Sequence, residues 1–461
     1  MTQLEKLLLP EIRELIHHQD LETLRETLNR WEPADIAALL DDLTAHEDIA
    51  AFSALEPKLA AATFAYISPY IQLELLKVLP EAELARIFNE LAPDDRTALL
   101  ERLPPDEDER LLTLLTPANQ RVARRLLTYG AGTVGRLMTP DFISVEESWT
   151  MPQVLAHIRK VGKDSETINA VYVTDKEDHL IDDIRLREVL LAPEDAVVQD
   201  LMDRRFVALA VTDPESEAIA LFRKYDRTVL PVIDRRGQLL GVVTVDDVLD
   251  VAEETATREA QKFGGVEALD EPYIATPLTE MVRKRATWLV ILFLGELLTA
   301  SAMGYFEKEI ERAVVLALFI PLIISSGGNS GSQAATLIVR ALAVGEVKLL
   351  DWWMVMRREI LSGLMLGLVL GSIGFARIAL WSMFSNMYGP HWPLIAITVA
   401  FSLVGIVMWG TISGAMLPFL LKRLGLDPAT SSAPFVATLV DVTGLVIYFS
   451  VAAIILRGTM L

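Results

Sequence analysis

Asp441 lies where a carboxylate is expensive. It sits in the apolar run APFVATLVDVTGLVIYF, with Thr438 three and Ala437 four residues before it, so on a helix the three share a face. No basic residue lies within reach along that helix. Acids inside a membrane generally face a pathway or a partner. Asp441 therefore reads either as a cation site or as an acid neutralised by a neighbouring helix. Glu296, in LFLGELLTA, poses a similar choice between a pathway role and an interhelical hydrogen bond. Arg377, late in its own apolar stretch, is placed to snorkel outward. The run PLIISSGGNSGSQAAT adds a second kind of chemistry. Pro321 removes a backbone donor, and Gly327, Gly328 and Gly331 are expected to loosen the helix after it. Such backbone survives at membrane depth only when buried in protein or lining a watery cavity. Ser325, Ser326, Asn329, Ser330, Ser332 and Gln333 supply hydroxyls and amides, which suit a hydrated cation; an anion route would want Lys or Arg. Small residues also serve close helix packing, and the two uses are compatible. One carboxylate among neutral oxygens, with no His or Cys in the apolar stretches, is hard-ligand chemistry for a divalent ion. Magnesium fits it, because it dehydrates reluctantly and needs few direct ligands. A symmetric pair of chains would bring two Asp441 carboxylates to one axis and match a divalent charge.

These residues need membrane-spanning elements to hold them. Five stretches, 286–304, 313–340, 359–384, 393–421 and 433–456, approach the roughly 20 apolar residues a bilayer requires. Arg283, Lys284 and Arg285 precede the first; Lys348, Arg357 and Arg358 lie between the second and third; Lys422 and Arg423 lie between the fourth and fifth. The other connections are poorer in bases, and Arg457 is a minor exception. The positive-inside rule therefore predicts a cytoplasmic N-terminus and an external C-terminus. Charge separates along the chain in the same way. The 461 residues carry a formal net charge of −21 at a mean hydropathy of +0.34. The first 277 residues hold 53 acids against 29 bases, and the remainder 10 against 13. An acidic region of that size does not suit nucleic-acid binding. Cysteine is absent, which excludes disulfides, thiolate zinc sites and a cysteine nucleophile. The N-terminus, MTQLEKLLLPEIREL, is amphipathic and acidic without a signal-peptide core, so the acidic part is expected to stay in the cytoplasm.

The acidic part has internal order. VGRLM at 134–138 matches VQDLM at 198–202, and each copy reads as an extended entry, a helix, two β-rich runs about a polar turn, and a second helix. The order resembles a pair of CBS domains, spanning 131–253. In the second copy Gly241, Thr244 and Asp247 stand at the Gly-x-x-Thr-x-x-Asp spacing that CBS domains use for ATP or another adenine nucleotide, although Thr244 equally suits a helix N-cap. The first copy has Asp182, Arg185 and Glu188 there and has lost the pattern. Residues 1–130 are leucine-rich and punctuated by proline, predicting a superhelical stack of short helices in which Asp94 and Asp95 mark a helix start. VDDVLDVAEETATREAQKFG, with a helix beginning near 246, joins the repeats to the membrane through 254–285. Its Asp246, Asp247, Asp250, Glu253 and Glu254 are too dense for packing on another acidic domain unless cations screen them.

The whole order resembles the MgtE family of magnesium channels and transporters. PLIISSGGNSGSQAATLIVRAL, PFVATLVDVTGLVIYFSVA and GVVTVDDVLDVAEE carry the likeness. The resemblance implies a multidomain α plus α/β membrane protein: acidic helical N-domain, CBS pair, connecting helix, and a five-helix transmembrane domain over 286–461. It implies a homodimer in the cell inner membrane whose pore, between subunits, is lined by the second and fifth spans. Asp441 matches the family's pore carboxylate for hydrated Mg²⁺, and Ala437 a position lending its carbonyl. Pro321, Gly327, Gly328, Asn329, Gln333, Thr438 and Glu296 are the expected lining. Mg²⁺ bridging the acidic cytoplasmic domains would close the pore through the connecting helix, with Asp94, Asp95, Asp247, Asp250, Glu253 and Glu259 as candidate ligands. Ala433 stands where the family pattern has a pore-entrance Asn, and Thr255 and Arg258 replace acids. Two alternatives stay open: a broader or ion-coupled divalent transporter (Mn²⁺, Co²⁺), and a CBS-bearing membrane sensor without transport. A membrane metalloprotease would need an H-E-x-x-H motif, which the six histidines do not form.

Overall fold

Proline sets the helix starts of the N-terminal region. The computed structural model describes residues 3–44, 46–103, 105–269, 273 and 276–460. Helices begin on Pro33, Pro57, Pro69, Pro93 and Pro117, at the first helical position, where the missing N–H loses no hydrogen bond. Each helix is short, and alternate ones pack together, so that Leu24, Leu39, Phe52, Phe64, Leu75 and Phe88 form one continuous core. Phe64 touches both Phe52 and Phe88, at ring-centroid separations of 6.1 and 6.2 Å. The predicted helical stack is present.

The two repeats fold alike. In the first, β1 (Ser144–Val145) pairs in parallel with β2 (Ala170–Thr174), which pairs antiparallel with β3 (Leu180–Arg185). In the second, β4 (Leu209–Ala210), β5 (Val229–Ile233) and β6 (Leu239–Thr244) repeat that order. The copies join edge to edge, Leu180 N donating to Gly237 O and Leu239 N to Asp178 O, both at 2.9 Å. The connecting helix, Val245–Phe263, follows β6 directly.

The chain divides into two compact units, Met1–Glu254 and Thr255–Leu461, with the connecting helix running across the division. Among its described residues the second unit holds five helices long and apolar enough to cross a membrane: Leu278–Tyr305, Val314–Ala343, Leu349–Ser382, Trp392–Arg423 and Ala433–Ile455. Glycine governs their packing. A Cβ on Gly363, Gly367 or Gly371 of the third span would strike Thr411 and Met408, Val404, or Ala400 of the fourth, turn by turn. Gly410 and Gly414 of the fourth lie against the carbonyls of Gly327 and Gly331 of the second. Close backbone approach of this kind substitutes for a hydrophobic driving force between helices in lipid. The first-span helix starts at Leu278, about two turns before the apolar stretch, so Arg283, Lys284 and Arg285 are already helical. It is mostly exposed and leans on the fifth.

Candidate functional site

The fifth-span helix is started by Ser432, whose side chain accepts from Phe435 N at 3.3 Å. Two turns on, Asp441 is half-buried, and its carboxylate has neither an ion-pair nor a hydrogen-bond partner among the described residues. Gly328 of the second span packs beside it: a Cβ there would lie 3.4 Å from the Ala437 Cβ and 3.7 Å from Asp441 Oδ1. The second and fifth spans thus meet at the acid. Thr438 donates to Pro434 O at 3.1 Å and faces the first span, where a Cβ on Gly295 would come within 2.9 Å of its methyl. Glu296 shares with Thr438 a largely apolar groove of about 590 Å³. Arg377 is already engaged, over the Trp381 ring at 4.4 Å and 3.4 Å from the Tyr388 hydroxyl.

The second span corrects one expectation. Its helix runs unbroken from Ile320 to Ala343, with Pro321 in the first turn, so the glycines do not loosen it. Gly327 faces Ile406 and Val440, and Gly331 faces Val436 and Gly410, so both serve packing; Gly328 is the glycine beside the carboxylate. Pro321, Ser325, Asn329 and Gln333 fall at four-residue spacing on an exposed stripe of the same helix. Asn329 donates to Ser325 Oγ at 3.3 Å, and Ser332 donates to Ala433 O at 3.1 Å, tying this span to the start of the fifth.

At that same end of the membrane unit the connecting helix is anchored. Lys262 Nζ lies 2.8 Å from Asp427 Oδ2, in the connection before the fifth span. Phe263 packs on the core of the unit. Trp288 covers Gly265, whose φ of +73° admits no ordinary side chain, and donates to Ser432 Oγ at 3.1 Å.

In the first unit, Asp94 and Asp95 do start a helix, Pro93–Arg102, but they do more than complement its dipole. They lie against the first turns of the connecting helix. Asp94 is 7% exposed, its Oδ1 has no partner among the described residues, and burial with Asp247, Asp95 and Glu166 nearby raises its pKa well above the carboxylate range. Burial, then Asp246 and Asp250, lift Asp95 to about 6. Burial, opposed by the Thr244 hydroxyl at 2.5 Å and reinforced by Asp246, Asp95 and Glu166, lifts Asp247 to about 7. Asp250 is raised by burial, Asp246 and Glu253. Glu253 is exposed and Glu259 lies half-buried beyond this cluster. Arg96 is buried below it, donating to Phe88 O and Leu91 O at 2.8 and 2.6 Å. Glu166 and Asp141 were not singled out in sequence. Both are raised by burial, and Glu166 N donates to Asp141 O at 2.8 Å. Glu166 lies in the extra residues of the first repeat, KVGKDSETIN, the one signal that could have found it.

The nucleotide pattern has internal uses. A Cβ on Gly241 would sit 2.5 Å from Thr139 O, where the chain pairs with Val242, and Thr244 bonds Asp247 as the connecting helix begins. A cavity of about 760 Å³ opens elsewhere in the pair, lined by Asn169, Asp183, Arg185, Arg187, Arg227 and Thr228 among others, with Arg227 paired to Asp183 at 3.1 Å.

A family model described as divalent cation transporter matches residues 320–451; an MgtE intracellular N domain model matches 31–132, and CBS domain models match 134–195 and 198–254. The chain is 38% identical over 458 residues to a protein of Thermus thermophilus named magnesium transporter MgtE, covering 99% of this chain and all of that one. The chain belongs to the MgtE family. Another family relative, of Enterococcus faecalis and with the same name, is 31% identical over 335 residues, covering 72% of this chain and 71% of that one. The solved cytosolic domain of the Mg²⁺ channel MgtE in complex with ATP is similar over 53% of this chain and all of its own, at 35% identity and a TM-score of 0.51. The MgtE likeness therefore spans the membrane helices, the CBS pair and the helical N-domain, and the chain is a multi-pass membrane protein of a transporter family.

Proposed function

We propose that this chain conducts Mg²⁺ across the cytoplasmic membrane as a homodimer, N-terminus inside and C-terminus outside. It works as a channel or transporter and not as an enzyme. The observation that carries the reading is the unpartnered Asp441 carboxylate beside Gly328, where the second and fifth spans meet. Two copies facing across an axis would present two carboxylates, two Ala437 carbonyls and two stripes of Pro321, Ser325, Asn329 and Gln333. A hydrated divalent ion needs few direct ligands and gains from the paired negative charge. In the closed state Mg²⁺ occupies the cluster of Asp94, Asp95, Asp247 and Asp250. The raised carboxylate pKa values support this, because acids packed so closely need protons or divalent ions to stay compact. ATP or a related nucleotide modulates the CBS pair, as the ATP held by the similar cytosolic domain suggests. The arginine-lined cavity and Gly241, Thr244 and Asp247 are its two candidate places.

Proteoliposome flux tests the pore. Asp441→Asn is expected to lower Mg²⁺ uptake by about tenfold or more, the scale of one lost charge interaction of about 1.4 kcal/mol, while the protein still elutes as a dimer. Uptake at the wild-type rate would sink the reading. Mn²⁺ or Co²⁺ carried as well as Mg²⁺ would favour the broader transporter.

A further inference from the structure

The membrane unit gathers at one corner bases that outnumber the acids described beside them. The second and fourth spans run parallel, with Lys422 Nζ donating to Leu342 O at 3.4 Å. The third runs back along the fourth, with Thr411 donating to Glu359 O at 3.2 Å. Leu342, Val355 and Phe419, one from each, share a small buried cluster. Around it stand Arg340, Lys348, Arg357, Arg358, Lys422 and Arg423, all exposed. Among the described residues none of the six forms an ion pair. Of the acids nearby in sequence, Asp351 is occupied by the Lys348 backbone N–H at 2.8 Å, Glu359 is half-buried and offsets part of the Arg358 charge without forming an ion pair, and Glu346 is exposed without pairing to any of them.

Apolar side chains flank these charges. Leu350 is 91% exposed, Trp352 48% and Trp353 56%. The connection at the other end of the third span, residues 386–393, contains no Lys or Arg. Tryptophan beside unpaired arginine is the composition of a bilayer boundary. Arg357 and Arg358 lie in the second turn of the third-span helix, and a planar guanidinium fork suits a phosphate diester.

We propose that this corner binds the headgroup of an anionic phospholipid, with Trp352 and Trp353 seated at the acyl boundary. The lipid would neutralise the corner and clamp together the ends of three spans, one of which carries Gly328. The proposal needs only that these helices cross a bilayer, so it stands or falls separately from Mg²⁺ conduction.

Native mass spectrometry of the full-length protein from micelles holding equal phosphatidylglycerol and phosphatidylcholine tests it. Wild type is expected to retain phosphatidylglycerol about fivefold over phosphatidylcholine, and Arg357→Gln with Arg358→Gln to lose most of that preference. Arg283→Gln with Arg285→Gln, an equal charge change at the first span, is expected to keep it. Equal retention of the two lipids would overturn the proposal, as would an unaffected Arg357/Arg358 variant or an equal loss in the Arg283/Arg285 variant. Displacement of the lipid by millimolar inorganic phosphate would overturn it too, assigning the corner to free anions. Should the glutamine variant not fold, the wild type decides. Raising salt from about 0.1 to about 0.5 M is expected to cut phosphatidylglycerol retention several-fold, and salt-independent retention would overturn the proposal.

Discussion

Glycine does two different things in the membrane unit, and the difference can be measured one residue at a time. At Gly414 an added methyl would overlap the carbonyl oxygen of Gly331, a backbone atom that can give way only by moving the helix. Gly414→Ala is expected to cost about 1–3 kcal/mol, read as a lower melting temperature of the purified protein. At Gly328 the nearest atoms to a new methyl are at ordinary contact distance, 3.4 and 3.7 Å, and one of them is Asp441 Oδ1. Gly328→Ala is therefore expected to fold with nearly the wild-type melting temperature while slowing Mg²⁺ uptake several-fold, because the methyl displaces water from the carboxylate. If the two variants lost stability equally, Gly328 would belong with the packing glycines and its role at the acid would fall. Sequence could not separate them. Both lie in small-residue runs, and which glycine meets Asp441 depends on the rotation of one helix against another.

The elements themselves were largely legible, because a bilayer and a half-buried strand each impose a period that hydropathy records. The five spans, the repeated CBS plan and the acidic connecting helix all follow from local pattern. What sequence hid was the meeting of distant segments. Glu166 and Asp141 join the Asp94–Asp247 cluster from separate parts of the chain, and only the extra residues around Glu166 hint at it. The anchoring of the connecting helix was hidden in the same way, since Lys262 and Asp427 are 165 residues apart. Both side chains are about two-fifths exposed, so the pair is worth only about 0.2–1 kcal/mol. That is too little to matter for the fold and enough to bias a gate. If Mg²⁺ closes the pore as proposed, Asp427→Asn is expected to leave the melting temperature unchanged and to raise the Mg²⁺ concentration for half-closure by up to about fivefold, that energy expressed as an equilibrium. Flux measured against internal Mg²⁺ reads this directly, and an unshifted midpoint would show that the ion pair takes no part in closure.

At the scale of the whole molecule the acidic excess becomes a sensor only if something other than Mg²⁺ can substitute for it, and protons should. Asp95 and Asp247 have pKa values of about 6 and about 7, raised above the roughly 3.9 of an unfolded chain. A raised carboxylate binds more protons folded than unfolded, so the compact form loses stability as pH rises between those values and has lost that contribution above about pH 8. On the proposed function, Mg²⁺ would take the proton's place, so the slope should vanish when the cluster is filled. Without Mg²⁺, limited proteolysis of the full-length protein is expected to be slow at pH 6 and to quicken towards pH 8. With millimolar Mg²⁺ it should be slow throughout. Asp95→Asn with Asp247→Asn removes both titrating groups and should flatten the Mg²⁺-free profile, giving protection at pH 8 without the ion. A profile that stayed steep in the double variant would place the responsible acids elsewhere, and Glu166 with Asp141 would be the next pair to neutralise, since burial raises both beside the same helix start.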